Sequence, residues 1–221
     1  MRTAVSPLFA LTFAAGCIDA ISFVGFGGVF TANMTGNTVL LGIAIVARFT
    51  GIYSNLGIVP PLVAVATFVA GALAAVPMFP TGWDTRRAAL TVFGEAVLVA
   101  LAGIAFLFIQ AGWVVLFSIA LVSFAMGAQS LVAAKAGRPG IATTYVTGTI
   151  VTAISRGLAH DAQDEHRRES GHNVWIWFVY CAGGAGGALL FAMFHHAGLL
   201  PIALFFAIIA VWIDCPSEAT R

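Results

Sequence analysis

Charge is scarce in this chain. Of 221 residues only 9% are Asp, Glu, Lys or Arg, and the formal net charge is +1. No block of one sign occurs outside a single loop of mixed charge at 160–172. The basic footprint that neutralises phosphates is therefore missing, which excludes nucleic acid as a partner. Cysteine is equally sparse: Cys17, Cys181 and Cys215 stand far apart, without metal-ligand or disulfide-framework spacing. Paired catalytic groups are absent too. The histidines fall in the polar loop or at the ends of apolar stretches, so no nucleophile has an adjacent base, and the chain reads as a non-enzyme without a cofactor. His160, His166 and His172 of the loop lie six residues apart, off the i, i+4 spacing of helical zinc sites, and read as solvated loop residues, not as a metal site.

What fills the sequence instead is apolar: 60% of residues are hydrophobic and the mean hydropathy is +0.99. A soluble domain of this size has no interior large enough to hide that surface, so the class is an all-α polytopic membrane protein. Stretches of spanning length cover residues 5–26, 57–79, 88–110, 113–135, 173–194 and 197–214, with Asn173 placed to cap the fifth. All five tryptophans, Trp83, Trp113, Trp175, Trp177 and Trp212, fall near the ends of these stretches, as an aromatic belt requires. The N-terminal run ending Ala14-Ala15-Gly16-Cys17 mimics a lipoprotein leader, but apolar sequence resumes at Ile18, and the run reads as a span.

Two polar segments interrupt this pattern. Gly27-Gly28-Val29-Phe30-Thr31-Ala32-Asn33-Met34-Thr35-Gly36-Asn37-Thr38 is enclosed by apolar sequence, and a fainter version recurs at Thr143-Thr144-Tyr145-Val146-Thr147-Gly148-Thr149. Gly16 pairs with Gly127, Thr35-Gly36 with Thr147-Gly148, and Ala70-Gly71-Ala72 with Ala182-Gly183-Gly184, offsets close to half the chain. Two homologous halves follow, an internal repeat of 5–110 and 113–214 within one membrane domain of 1–221.

The ten basic residues discriminate between topologies. If the motif segments 28–48 and 140–158 cross the bilayer, eight crossings form a parallel repeat, with six basic residues inside and four outside. If each segment enters and returns on one side, six full spans remain, and only Arg48 lies outside against nine inside. The second arrangement satisfies the positive-inside rule, and three spans per half make the repeat inverted, with both termini cytoplasmic. Lys135 and Arg138 then read as cytoplasmic anchors.

The first motif predicts an extended lead-in and a short helix from near Thr35 through Leu41. A helix that starts inside a membrane has amide N–H groups with no intrahelical partner and no water, so it needs protein, a cavity or a ligand. Asn33 or Thr35 is placed to cap it, Gly36 permits close approach, and the helix dipole favours negative charge. The competing interpretation is that these threonines and asparagines join helices by hydrogen bonds worth about 1 kcal/mol each. Their density across Thr31, Asn33, Thr35, Asn37 and Thr38 exceeds what packing needs. Solute binding is accordingly assigned to Asn33, Thr35, Gly36, Asn37, Tyr145, Thr147, Gly148 and Thr149.

Two carboxylates lie within the spans, Asp19 and Glu95, each about 5 to 6 Å from its span midpoint. Ionisable groups at that depth face protein or water and mark proton paths, so both are candidates for proton coupling. Ser22, Gln129 and Ser130 are candidate polar supports around Asp19 and its repeat position. For Glu95, a hydrogen bond to a neighbouring helix would serve equally well. Gly71 with Ala75 and Gly183 with Gly187 form small-xxx-small pairs that read as close helix packing.

Residues 16–42, and above all Gly-Gly-Val-Phe-Thr-Ala-Asn-Met-Thr-Gly-Asn-Thr-Val-Leu-Leu-Gly at 27–42, closely resemble the hallmark of the YoaK family of bacterial membrane proteins. The resemblance implies a six-span type protein of the bacterial inner membrane, presumed a permease, and assigns no substrate. Asp19, Asn33, Thr35, Gly36 and Asn37 match the family pattern. Together, the residues and the resemblance lead to the expectation of a small secondary transporter for a polar or anionic solute, proton-coupled through Asp19 and assembled as a homodimer. A passive channel and a non-transporting structural membrane protein are the alternatives.

Overall fold

The computed structural model describes residues 5–51, 57–80, 82–109, 111–136 and 164–215. Seven α-helices run through them: α1 (Val5–Gly25), α2 (Met34–Thr50), α3 (Val59–Ala75), α4 (Thr85–Phe108), α5 (Trp113–Lys135), α6 (Asp164–Phe194) and α7 (Leu199–Asp214). No strand occurs among the described residues. Each of the six apolar stretches of the sequence coincides with one of these helices, α2 being the addition. The second motif, 140–158, lies outside the described residues, as do Tyr145, Thr147, Gly148 and Thr149.

Helix boundaries follow local chemistry. Asp84 caps α4 through its Oδ1, which accepts from the Arg87 amide at 3.0 Å, while the Arg87 guanidinium donates to Met78 O at 2.8 Å and ties the turn to the end of α3. Pro60 and Pro61 occupy the first turn of α3, where a missing amide hydrogen costs nothing. Gly51 ends α2 in the left-handed conformation at φ 72°. A 3-10 turn over His195–Gly198 separates α6 from α7, as the sequence pattern predicts. α6, by contrast, begins at Asp164 rather than at 173, so Asn173 lies inside the helix and residues 164–172 are helical instead of loop.

Within the apolar stretches the helices carry hydrophobic side chains on their outer faces as well as their inner ones. Large side chains such as Leu73, Leu90, Phe93, Val97, Leu101 and Ile104 face outward, an arrangement that suits lipid and not water. Among the described residues, five helical stretches are long and apolar enough to cross a bilayer, the last being the α6–α7 stretch from Trp175. α2 is shorter, 17 residues, or about 25 Å of helix. The chain is thus a multi-pass membrane protein.

Glycine sets the closest approaches. α1 packs on α6, α3 on α5, and α4 on both α5 and α7. At the first crossing, a Cβ on Gly16 would run into Tyr180 O, and one on Gly183 or Gly187 into the backbone of Phe13 or Cys17. At the second, Gly71 abuts Phe124 O and Gly127 abuts Phe68 O. Backbone against backbone at this range gains dispersion and packing contacts that larger residues forbid.

Candidate functional site

The first motif folds onto α1 and is held there by Asp19. After α1 ends, Gly27 and Gly28 take φ values of 80° and 84°, a left-handed pair that turns the chain back toward Asp19 and that L-residues seldom tolerate. The chain then passes Asp19 without regular secondary structure and bends at Thr31 and Ala32. One carboxylate oxygen, Oδ1, accepts from three successive backbone amides: Thr31 at 2.9 Å, Ala32 at 2.7 Å and Asn33 at 3.3 Å. The other oxygen, Oδ2, accepts from the hydroxyl of Tyr180 on α6. Asp19, Thr31 and Ala32 are all buried. Three amides converging on one oxygen form an anion-binding nest, and here a tethered carboxylate occupies it.

Side chains of the motif complete the fold. Asn33 Oδ1 caps α2 by accepting from the Gly36 amide at 3.2 Å. Asn37, fully buried in the first turn of α2, turns back on the lead-in: its Oδ1 accepts from Phe30 N at 3.0 Å and its Nδ2 donates to Phe30 O. The pair reproduces a strand-like exchange with one residue, satisfying backbone groups that neither helix nor water reaches. Phe30 stacks on Phe23 at 4.8 Å between ring centroids, and a Cβ on Gly36 would lie 2.8 Å from the Phe30 ring. The close approach that Gly36 permits is to this ring. α2 starts at Met34 and runs to Thr50, well beyond the short helix expected from the sequence.

Of the candidate residues, Asp19, Ser22, Asn33, Gly36 and Asn37 come together here. Thr31 Oγ1 donates to Ser22 Oγ at 3.2 Å, and Ser22 in turn donates to Asp19 O. Thr35 is exposed at the start of α2. Ser130 bonds to Met126 O on its own helix, and Gln129 Nε2 reaches Leu11 O at 3.3 Å, joining α5 to α1. Glu95 is not part of this network: it sits on α4, 1% exposed, with neither carboxyl oxygen bonded among the described residues.

Sequence reasoning missed Tyr180 and underrated Thr31. Nothing in the spacing of Tyr180 marks it, because it meets Asp19 only through the α1–α6 crossing. The one available signal was its position three residues before Gly183, the small-residue site at which that crossing occurs. It also missed an aromatic cluster in which His196 lies against Phe106 at 4.0 Å between centroids and near Phe26, its Nε2–H donating to Gly25 O at 2.9 Å.

Comparison with known proteins agrees with the membrane class. Residues 8–212 match the family described as "Protein of unknown function (DUF1275)". Over 220 residues, covering 94% of this chain and 92% of the relative, the sequence is 34% identical to the UPF0700 transmembrane protein YoaK of Bacillus subtilis (strain 168). No solved structure matches the chain. The chain belongs to the DUF1275 family and is a YoaK-type membrane protein.

Proposed function

We propose that this protein is a small secondary transporter, a permease of the bacterial inner membrane that moves a small anionic or polar solute and couples it to protons through Asp19. The observation that carries the reading is the convergence of the Thr31, Ala32 and Asn33 amides on a single carboxylate oxygen. A nest of that kind favours a negatively charged oxygen, and its present occupant is mobile in principle because it is a side chain. Protonation of Asp19 removes the charge that the amides hold. The nest then accepts an anionic oxygen of the solute, and renewed ionisation of Asp19 expels it. Solute and carboxylate compete for the same donors, so binding of one anion is linked to binding of one proton.

Asn33 and Thr35 stand at the less buried rim of this site and are assigned the first contacts with solute. Tyr145, Thr147, Gly148 and Thr149 carry the corresponding sequence of the second half. A repeat of two related halves is supported by the way the halves exchange partners, and we take it as inverted on the distribution of basic residues. With α1 equivalent to α5 and α3 to α6, the α1–α6 crossing at Gly16 and Gly183 has its counterpart in the α5–α3 crossing at Gly127 and Gly71. Likewise α1–α7 corresponds to α5–α4, and α4 pairs with its own equivalent, α7. Two equivalent crossings give two units that rock against each other about the site. We place both termini in the cytoplasm and a homodimer around the short chain.

A second reading has its own support, since every amide of the nest is already satisfied within the protein: Asp19 would then be a clasp in a non-transporting structural protein. Proteoliposomes holding a pH-sensitive dye separate the two. Under inward gradients of phosphate, sulfate and succinate tested in turn, the transporter acidifies the lumen with at least one anion, and Asp19→Asn abolishes that acidification. No acidification with any anion would favour the clasp. Equal acidification by Asp19→Asn would remove Asp19 from the coupling.

A further inference from the structure

Away from the motif, α3, α4 and α5 line an open cavity of about 440 Å³. Its wall is apolar, built from Gly71 and Ala75 of α3, Met78 of the 3-10 turn after it, Gly94 of α4 and Phe124 of α5, with two polar residues one helical turn apart, Thr91 and Glu95. The Thr91 hydroxyl is committed: it donates to Arg87 O at 2.8 Å on its own helix. Glu95 has no such commitment. Its carboxyl is buried, and neither oxygen has a hydrogen-bond partner among the described residues. It sits on the eleventh residue of a 24-residue spanning helix, about 2 Å along the axis from the helix midpoint.

A carboxyl in that position is costly and gains nothing from packing. The features that would satisfy it, a hydrogen-bond donor or a cation, are supplied by no side chain among the described residues. The cavity beside it is large enough for a molecule of several rings, and its wall suits an apolar body. Gly94 shapes the space: a Cβ there would meet nothing within 4 Å, so the glycine leaves room where its helix neighbours carry Phe93 and Glu95.

We infer that the α3–α4–α5 cavity is a binding site for a lipophilic amine, whose apolar body fills the cavity and whose ammonium group pairs with the Glu95 carboxylate. The amine arrives from the lipid side, where Leu90 and Val97 of α4 are exposed beside the cavity. A neutral amine takes the proton of a protonated Glu95: the O–H bond breaks, an N–H bond forms, and the resulting ion pair is held in a medium where its attraction is strong. A bare alkyl chain would fill the same volume but leave the carboxyl as it was. This site is separate from the Asp19 network and does not rest on the anion reading of that network.

Aminomethylanthracene is a suitable probe, with methylanthracene as its near-isosteric neutral control, because energy transfer from tryptophan reports both against the linear background of partition into lipid. With the full-length protein in nanodiscs of neutral lipid, the expected result is saturable binding of the amine only. Glu95→Gln weakens it about thirtyfold or more, as removal of one partner of a buried charge pair does. Gly94→Leu fills the cavity without touching the carboxyl and abolishes saturable binding. Should Glu95→Gln fail to fold, Gly94→Leu decides alone. Absence of saturable amine binding, equal binding of methylanthracene, wild-type affinity in Glu95→Gln, or wild-type affinity in Gly94→Leu would each overturn the assignment.

Discussion

Tyr180 donates its hydroxyl to the oxygen of Asp19 that the motif amides leave free, so a residue of α6 and a residue of α1 share the charge on which the motif is folded. Tyr180→Phe deletes that donor and keeps the ring. A hydrogen bond to a charged group contributes about 1.5 to 3 kcal/mol, and a loss of that size is expected in unfolding by denaturant in mild detergent. Combined with Asp19→Asn the two losses should fall short of their sum, since each removes part of one interaction. Simple additivity would show that the pair does not interact.

The α1–α6 crossing has no space for a side chain at Gly16. Gly16→Val places branched carbon against Tyr180 O, and Gly127→Val does the same against Phe68 O at the α3–α5 crossing. Each should destabilise by roughly 1 to 3 kcal/mol, the usual cost of overpacking. Gly16→Val should in addition impair the Asp19 site, because Tyr180 moves with its backbone. Gly94→Ala, where a Cβ meets open space, is the control and should be neutral or slightly stabilising. Equal stability of the Gly16 and Gly94 variants would contradict the packing described for α1 and α6.

Gly36 carries a more local expectation. A Cβ at that position lies 2.8 Å from the Phe30 ring, so Gly36→Ala must move the ring off Phe23. The substitution should destabilise, by about 1 kcal/mol or more, although alanine is the better helix former. Phe30→Leu made together with it should recover part of the loss. If Gly36→Ala alone is stabilising, the ring does not occupy that seat.

These particulars show what the sequence made legible. Six of the helices could be read from runs of apolar residues, because lipid demands an uninterrupted apolar surface about 30 Å long and few other structures produce one. Asp19 stood out because a carboxylate at that depth is expensive, and Asn33 and Gly36 because a buried helix start must be capped and packed. The partners could not be read. Tyr180 lies 161 residues from Asp19 in the chain, and no local periodicity links them. Nor did the sequence indicate that the amides of the motif would be filled from within: their need was evident, but the tethered carboxylate satisfies it only once α1 and the lead-in lie side by side. The extent of α6 was missed for another reason. Its first residues, 164–172, are charged and polar, and membrane periodicity carries no information about a helix that continues into water.

Topology has a direct check. A single cysteine placed beside Arg48, at the far end of α2, should be labelled by an impermeant maleimide from the periplasmic side if the motif segment returns to the side it left. Labelling from the cytoplasm alone would require α2 to cross the bilayer and would replace the inverted repeat by a parallel one.

The central claim is that the amides of Thr31, Ala32 and Asn33 accept an anion in exchange for Asp19, and ligand-dependent thermal stability tests it most directly. The purified protein in detergent is melted with phosphate, sulfate, oxalate, succinate and other small carboxylates at acidic and at neutral pH. Binding to the folded state raises the apparent melting temperature by mass action. The account predicts stabilisation by at least one anion that strengthens as pH falls, and that persists at both pH values in Asp19→Asn, whose side chain carries no competing charge. No anion response in the wild type at either pH, together with none in Asp19→Asn, would contradict it.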